Sequence, residues 1–376
     1  MIGKTRSLRT VLLSLFALGV ILAILFFGLR PKWWSGDNAV VWLPEKQAIR
    51  FEHPAIAYVD DLSPLLSRHD VQQFTITIEF TPATTRKMGF RPLLMIHDGS
   101  NHSQLAIWHW GPSLIVMNGD DYSYSKKLPR ITARDVLVTG ESVLVSITSD
   151  GRATTLFVNG ALAAEREGWA LTLPGSGNKI RLIFGNSVYG RHGWDGEIRS
   201  FALHAGALTR EEVKKFHNTS QRSAPAPGIV EEELLLSYTF SEYGNQRITD
   251  VSGNNLQLLI PEQIVVLKRE FLSAPASFKP NHSFYMDVLL NLIGFMVLGA
   301  VVYLWLSLAL LISARRSAIA AAVICFLLSL FMETLQTWMP GRDSSLLDLT
   351  VNSVGAIIGI VGIMVADRSG CRTKDT

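Results

Sequence analysis

A set of acidic, amide and guanidinium side chains interrupts the apolar C-terminal part of this chain of 376 residues. In the stretch FMETLQTWMPGRDSSLLDLTVN, residues 331–352, the polar groups that could do chemistry are Glu333, Gln336, Arg342, Asp343, Asp348 and Asn352. A carboxylate can act as a general acid or base, and a guanidinium can stabilise a phosphate or an oxyanion. Polar groups are costly at membrane depth, so the set must serve a reaction, a recognition site or the joining of helices.

The spacing of these side chains places them in pairs on common helix faces. Three pairs are separated by three or four residues: Asp287 with Asn291, Glu333 with Gln336, and Asp348 with Asn352. Glycines can let the same helices pack closely, and Gly355 and Gly359 have the small-residue spacing that is typical of such contacts, with Gly294 as a further small face. We therefore expect three helices to bring the carboxylates, the carboxamides and Arg342 together.

Two interpretations of this set stay open. Arg342 could simply neutralise Glu333 or Asp348 while the amides bridge helices, or the groups could form a site for a ligand. Apolar residues would join helices without the cost of burying polar groups, so we favour the ligand site. The polar cluster is defined here as Asp287, Asn291, Glu333, Gln336, Arg342, Asp348 and Asn352.

Long uncharged runs on both sides of the polar cluster predict membrane-spanning helices, because a helix needs about 20 apolar residues to cross a bilayer. The runs lie at 10–29, 288–314, 317–332 and 349–366. The first could be a secretory signal peptide, but it is long and no A-x-A cleavage site precedes RPKWW. We expect an uncleaved anchor at 10–30 and a three-helix membrane domain at 284–366.

The basic residues orient these spans. Although the net charge is only +3, Lys and Arg concentrate beside the apolar runs, a pattern of membrane orientation and not of nucleic-acid binding. The positive-inside rule predicts a multi-pass protein of the cytoplasmic (inner) membrane with both termini in the cytoplasm. Residues 1–9 and the tail 367–376 are then cytoplasmic, and residues 31–283 are extracytoplasmic.

The depth of the polar cluster follows from the helical rise of 1.5 Å per residue. Counted from Arg316, Glu333 lies about 25 Å above the cytoplasmic face. Counted from Asp367, Asn352 lies about 22 Å and Asp348 about 28 Å above it. The hydrocarbon core is about 30 Å thick, so we expect the cluster near the outer boundary of the membrane.

Residues 31–283 have the pattern of an antiparallel β-sandwich. FTITIEF (74–80) and SVLVSIT (142–148) alternate between apolar and polar residues, and Asn159-Gly160 is a hairpin turn signal. The cysteines, Cys325 and Cys371, lie outside this region, so no disulfide holds it. The sequence predicts short strands that form a jelly roll.

Histidine and tryptophan side chains in this region allow two interpretations. His97, Asp98, His102 and His109 could be metal ligands or a sugar-facing patch, and Trp108, Trp110 and Trp194 could stack on sugar rings. We favour turn, sheet-face and core positions for them, and we predict neither a metal nor a cofactor.

The region 45–275 resembles the laminin G-like, concanavalin A-like jelly rolls. The likeness rests on TTLFVNGALAAE, GNSVYGRHGWDGEIRSFALHAGALTREEV and LLLSYTFSEYGNQRITDVSGNNLQLLIP. It implies the fold, and it implies carbohydrate or protein as a ligand class, in some members through calcium. No calcium-ligand set can be mapped onto this sequence residue by residue.

The region 284–366 resembles the VanZ-like family of membrane proteins. DVLLNLIGFMVLG and METLQTWMPGRDSSLLDLTVNSVGAIIG reproduce its order of Asp, Asn and Gly, E-x-x-Q, a P-G-R loop, D-x-x-x-N and G-x-x-x-G. The members of the polar cluster, with Gly299, Gly355 and Gly359, occupy these positions. Val297 stands where the family has proline, so a straighter helix is expected. The resemblance implies a link to glycopeptide (teicoplanin) resistance and supplies no mechanism.

Together these patterns predict a cell-envelope protein of four transmembrane helices and a jelly roll. Its expected partners are the lipid bilayer and a glycan, peptidoglycan or lipid-linked ligand, and not nucleic acid. Two alternatives remain: an enzyme in which Glu333 is the acid or base, Arg342 stabilises an anion and Asp348 orients a partner, or a structural adhesion module.

Overall fold

The computed structural model describes residues 2–30, 36–69, 71–121, 126–175, 179–190, 192–220, 233–242, 244–273, 282–339, 342 and 344–372. The chain forms two compact units. One unit is Ser35–Lys268, and the other combines Met1–Trp34 with Arg269–Thr376.

The unit Ser35–Lys268 is a sandwich of two antiparallel sheets. The first sheet contains β1 (Val40–Leu43), β2 (Ala48–Phe51), β4 (Phe74–Pro82), β9 (Val143–Ser149), β10 (Ala153–Val158), β11 (Ala161–Glu167), β13 (Gly196–Ala205) and β14 (Leu234–Tyr238). The second contains β3 (Ala57–Val59), β5 (Arg91–His97), β6 (Leu105–Trp110), β7 (Ser113–Asn118), β8 (Arg130–Ala133), β12 (Arg181–Phe184), β15 (Arg247–Ile248) and β16 (Leu258–Leu259).

The strand order of both sheets is that of a jelly roll and not of a simple meander. The first sheet runs β1-β2-β13-β4-β9-β10-β11, with β14 also paired to β13, and the second runs β15-β16-β3-β12-β5-β6-β7-β8. Strands distant in sequence are neighbours, as in the pairing of β4 with β13. The predicted fold class is confirmed.

Alternation along β4 explains why the sheets stack. The apolar members of FTITIEF are fully buried in the core: Phe74, Ile76, Ile78 and Phe80. The polar members face the other side of the first sheet. Burying each such side chain contributes roughly 1.5–3 kcal/mol, which is the main stabilisation that this region has without disulfides.

Turn chemistry fixes the register of the hairpin between β10 and β11. Asn159 and Gly160 both have positive φ, 51° and 75°, and Val158 pairs with Ala161 across the turn. A two-residue turn of this kind requires positive φ at both positions, which Asn and Gly adopt at low cost. The hairpin predicted from Asn-Gly is therefore present.

Short helices lie among the strands, including the 3-10 helix Pro44–Lys46 and the α-helices α2 (Ser63–His69) and α3 (Arg210–Ser220). The predicted capping box begins α3: the Thr209 N–H donates to Glu212 Oε2 at 2.7 Å, and the Glu212 N–H donates to Thr209 Oγ1 at 3.3 Å.

The second unit is a helical bundle. Its helices are α1 (Ile2–Gly28), α4 (His282–Leu304), α5 (Ala314–Gln336) and α6 (Leu346–Arg372), and a π-helical turn, Trp305–Ala309, follows α4. Each has a window long and apolar enough to cross a membrane: Thr10–Gly28, Phe284–Ala309, Ala314–Gln336 and Leu346–Asp367. The helix α4 continues through Val297 without a break, as expected where the family's proline is missing.

Glycine positions let α4 and α6 approach within backbone contact. A Cβ on Gly359 would lie 1.9 Å from the Met296 carbonyl oxygen, and one on Gly355 would lie 2.4 Å from the Leu292 carbonyl oxygen. Gly299 on α4 is equally close to α6. The expected role of Gly294 is wrong, because it has open space around its Cα and Gly299 takes its place.

The first helix packs against the others. Trp305 Nε1 donates to Ser14 Oγ at 3.0 Å, and Met332 of α5 lies against Gly28. All four helices thus contribute to one bundle.

Candidate functional site

Glu333 is the most deeply buried carboxylate of the polar cluster, with 2% of its surface exposed. It lies near the end of α5, and its Oε2 accepts the Ser345 N–H at 2.7 Å. The Ser344 hydroxyl also hydrogen bonds to this carboxylate. These two contacts leave Glu333 with hydrogen-bond donors but no positively charged partner among the described side chains.

A short bridge of chain covers the loop that contacts Glu333. The Ser273 N–H donates to the Ser344 carbonyl at 3.0 Å, and the Leu346 N–H donates to the Ser273 carbonyl at 3.2 Å. The Leu272 N–H donates to Ser344 Oγ at 3.0 Å. Backbone pairing therefore holds Ser344 and Ser345 in the positions from which they bind the carboxylate.

Asp348 and Asn291 meet between α6 and α4. Asn291 Nδ2 donates to Asp348 Oδ1 at 3.2 Å, and both side chains are half-buried. Ser345 Oγ accepts the Asp348 N–H at 3.3 Å, so Ser345 caps α6. Asp348 lies in the first turn of α6, where the helix dipole favours an anion. Asp287, exposed and one turn before Asn291, lies within electrostatic reach of Asp348.

Asn352 lies one turn further along α6 and is 2% exposed. Its Nδ2 donates to Ser329 Oγ at 2.9 Å, and Ser329 precedes Glu333 by one turn of α5. Its Oδ1 is buried and has no hydrogen-bond partner among the residues that the structure describes. A buried acceptor without a partner costs about 1–3 kcal/mol, so this atom is a candidate contact for a ligand.

Arg342 and Gln336 bind the C-terminal end of α1. Arg342 Nε and Nη2 donate to the Arg30 carbonyl at 3.1 and 2.9 Å, and Gln336 Nε2 donates to the Gly28 carbonyl at 2.9 Å. Among the described residues Arg342 forms no salt bridge with Glu333 or Asp348, although it lies within electrostatic reach of Asp348. Unpaired carbonyls at a helix C-terminus attract a cation, which explains why Arg342 binds at the end of α1.

The structure brings most of the predicted cluster together, and it adds groups that the sequence reasoning missed. Asn291 contacts Asp348, Glu333 and Asn352 line facing helices, Gln336 and Arg342 reach α1, and Asp287 stays at the exposed edge. Ser329 and the carbonyls at the end of α1 were missed, and so was the contact of Ser344 and Ser345 with Glu333, although a cap of α6 at one of these serines is expected from the sequence. The spacing of four between Ser329 and Glu333 could have identified the first. Asp343 lies outside the described residues.

Two of the histidines considered as ligands, His97 and His109, have structural partners. His109 is fully buried, and Trp194 Nε1 donates to its Nδ1 at 3.1 Å while its Nε2 faces the Gly111 carbonyl at 2.7 Å. Burial, followed by the neighbouring Arg91 guanidinium, lowers the pKa of His109 to about 4. His97 caps a turn by accepting the Gly99 N–H at 2.8 Å, and burial lowers its pKa. The described residues contain no group of three or more His, Cys, Asp or Glu that could hold a metal.

The tryptophans of the sandwich pack in its apolar interior, the interpretation that the sequence analysis favours. Trp108 is 2% exposed and Trp194 is fully buried, so neither can stack on a sugar. Trp110 is half-buried and packs edge-on against Phe90, with ring centroids 4.8 Å apart.

A polar groove on the first sheet offers a different ligand surface. It has a volume of about 180 Å³ and is lined by Gln47, Glu79, Arg199, Ser200 and Thr239. Arg199 Nη1 lies 3.4 Å from Glu79 Oε1. Charged and hydroxyl groups beside one another suit hydrogen bonding to sugar hydroxyls. The period of β4 places Glu79 on this face, and the bulge between Ile198 and Ser200 in β13 leaves Arg199 beside it. The sequence did not single the groove out.

Comparison with known families agrees with the two resemblances. Residues 60–214 match the profile of the concanavalin A-like lectin/glucanases superfamily, and residues 234–367 match the profile of the VanZ/LLP1 family. The second match begins ahead of the predicted boundary at 284. The predicted fusion is confirmed. No curated protein matches the chain.

Several solved structures share part of the fold. A candidate carbohydrate binding protein from Bacteroides ovatus is 16% identical, with a TM-score of 0.40, over 58% of this chain and 61% of that one. The binding domain of botulinum neurotoxin DC, in complex with rat synaptotagmin II, is 14% identical, with a TM-score of 0.38, over 49% and 45%. The chain thus spans less than two thirds of each. TM-scores this low add nothing to the assignment of function.

Proposed function

This chain joins a concanavalin A-like sandwich to a VanZ-like membrane segment, and from that premise we propose that it is an envelope protein that binds ligands with both units. In this proposal, residues 31–283 lie outside the cytoplasmic membrane, both termini lie in the cytoplasm, and the polar cluster lies at the outer boundary. The cluster recognises the polar part of a lipid-linked or cell-wall compound.

One observation carries the proposal for the bundle. Glu333, Asp348 and Asn352 come from two helices, are buried or half-buried, and gather without a neutralising salt bridge among the described residues. Such groups are costly in a membrane protein, and a set that only joined helices would be expected to satisfy its own members. Asn352 Oδ1 has no partner, which supports a ligand.

A test of the bundle's role is native mass spectrometry of the full-length protein released from its own membranes. We expect lipid-linked adducts on the wild type and a loss of at least tenfold in their abundance on Glu333→Gln. Asp367→Asn, on the same helix as Asp348 but at its far end, is the matched control. Equal adducts on all three proteins would contradict a ligand site at the cluster.

For the sandwich we propose glycan binding at the groove that contains Glu79 and Arg199. The family profile names lectins, and the groove supplies charged and hydroxyl groups where the buried tryptophans do not. On a glycan array, full-length protein in detergent should bind a defined set of glycans. Arg199→Ala should reduce that signal about tenfold, while the exposed Arg247→Ala should not. Absence of binding with and without calcium would contradict this part.

The enzymatic alternative loses its anion stabiliser. It required Arg342 beside the reacting group, and the Nε and Nη2 donors of Arg342 are directed to α1 carbonyls. Recognition without bond cleavage is the function that the geometry supports best.

A further inference from the structure

We propose that the ligand group held by the polar cluster is a primary ammonium, carried by an amphiphile in the outer leaflet of the membrane. This inference rests on the proposed function of the cluster as a ligand site and adds its chemical class. The ammonium would contact the carboxylates of Glu333 and Asp348 and the free Oδ1 of Asn352.

The carboxylates of Glu333 and Asp348 offer more acceptor positions than the described donors fill. The carboxylate oxygens of Glu333 receive the Ser345 N–H and the Ser344 hydroxyl, and Asp348 Oδ1 receives one N–H from Asn291. An ionised carboxylate offers about four acceptor positions and no donor. Both groups therefore have acceptor positions left, and a further anion such as phosphate would find acceptors where it needs donors.

Arg342 is the cation that could have neutralised the two carboxylates. Arg342 is within electrostatic reach of Asp348, but its Nε and Nη2 donate to the carbonyls of Arg30 and Phe27. A guanidinium has a fixed fork of donors, so those directed at α1 cannot also bind the carboxylates. The Arg342 interaction stabilises the end of α1 and leaves the cluster open to an external cation.

Asn352 Oδ1 is a buried acceptor that no described protein group satisfies. Asn352 is one turn beyond Asp348 on α6, and its amide reaches Ser329, one turn before Glu333 on α5. Asn352 therefore bridges α5 and α6 one helical turn away from each of the two carboxylate positions. Its Oδ1 has no partner at 2% exposure, so it is an acceptor oriented for a donor that the chain does not supply.

These three acceptors suit an ammonium. An –NH₃⁺ group has three donors, one for each of Glu333, Asp348 and Asn352 Oδ1. Exposure decreases from Asp287, which is exposed, through half-buried Asp348 to buried Glu333.

The same ammonium could belong to an amino sugar on a lipid or to an ethanolamine headgroup. Matched photoreactive probes separate these sources, each with a diazirine in its alkyl chain. Octadecyl glucosaminide and octadecyl N-acetylglucosaminide differ only in the free amine. A phosphatidylethanolamine and a phosphatidylglycerol of the same chains form the second pair.

The experiment measures photolabelling of full-length protein in nanodiscs, with mass spectrometry of peptides from α4, α5 and α6. We expect the glucosaminide to label these helices at least tenfold more strongly than its acetylated counterpart. If the source is the headgroup, phosphatidylethanolamine instead exceeds phosphatidylglycerol by that factor. Equal labelling by the two members of each pair overturns the proposal.

Substitutions test whether the labelling preference for the amine arises at the polar cluster. Glu333→Gln and Asp348→Asn should each abolish the preference for the amine, Asn352→Leu should weaken it, and Asp367→Asn should leave it intact. An amine preference that survives both carboxylate substitutions also overturns the proposal. If a variant does not fold, the comparison of the matched probes on the wild-type protein still tests the proposal.

Failure of this inference can be told from failure of the proposed function. If the acetylated sugar and the amine label the cluster equally and Glu333→Gln reduces both, the cluster is a ligand site of another class. If no probe labels these helices above phosphatidylglycerol and native adducts are also absent, the ligand site itself fails.

Discussion

At the scale of single residues, burial decides which side chains can act on a ligand. Trp108 and Trp194 are core residues, whereas Glu333 and Asn352 are equally buried but polar. The first two need no ligand, because apolar burial stabilises them. The second two remain costly until something binds them. His204 belongs to neither group, because it is buried in β13 and both of its ring nitrogens lack hydrogen-bond partners.

His204 should make the sandwich sensitive to acid. Burial lowers its pKa to about 4 from an ordinary value near 6.5, so the unfolded chain binds a proton where the folded chain does not. Stability is therefore full above pH 6.5 and decreases as the pH falls towards 4, by up to about 3 kcal/mol from this residue.

The measurement is urea unfolding of the sandwich in full-length protein, followed by near-ultraviolet circular dichroism at pH 7 and pH 5. His204→Leu should reduce the loss of stability between the two values. The slope that remains comes in part from His109, whose pKa is lowered to the same extent. An unchanged slope in the variant would mean that His204 is not buried as a neutral group.

At the scale of elements, sequence patterns predicted those contacts whose partners are close in sequence or periodic. FTITIEF and Asn159-Gly160 determine a strand and a turn locally, and the spacing of Gly355 and Gly359 determines a helix face. Two outcomes differ from expectation, the open space at Gly294 and the contact of Arg342 with the end of α1, and both concern which distant segment a residue contacts. Arg342 contacts α1, more than 300 residues earlier in the chain, and no local pattern encodes that contact.

The contact between α4 and α6 should depend on the absence of a Cβ. Gly359→Ala places a methyl group 1.9 Å from the Met296 carbonyl oxygen, so the helices must separate. We expect a loss of roughly 1–3 kcal/mol, as for other overpacked contacts. Gly362→Ala, three residues further along α6 in open space, is the control and should leave the thermal midpoint in detergent unchanged. Equal midpoints for both variants would contradict the close packing.

The end of α1 should loosen when Arg342 is removed. Arg342→Ala deletes donors to the Arg30 and Phe27 carbonyls, and the interaction of a cation with a helix C-terminus contributes about 0.3–1 kcal/mol. Faster hydrogen–deuterium exchange in peptides covering 22–30 is the expected result. Arg316→Ala, exposed at the opposite end of α5, should leave this exchange unchanged. Unchanged exchange in both variants would remove the role given to Arg342.

At the scale of the whole molecule, the chain joins two units, and each unit follows its own physics. The sandwich excludes water with an apolar core and keeps polar groups on its faces, where a groove with Glu79 and Arg199 is available. The bundle, whose helices are apolar enough for a bilayer, concentrates its polar groups in one cluster. The central claim is that this cluster is kept for a ligand and not for stability.

The most direct test measures folding and function on the same variants. Glu333→Gln and Asp348→Asn keep size and remove charge, so the account predicts normal membrane levels and thermal midpoints in detergent. It also predicts that neither variant restores the envelope phenotype of a deletion strain, such as glycopeptide tolerance, whereas Asp367→Asn does. The opposite result, in which the variants are unstable and every stable one functions normally, would contradict the claim and make the cluster a structural joint.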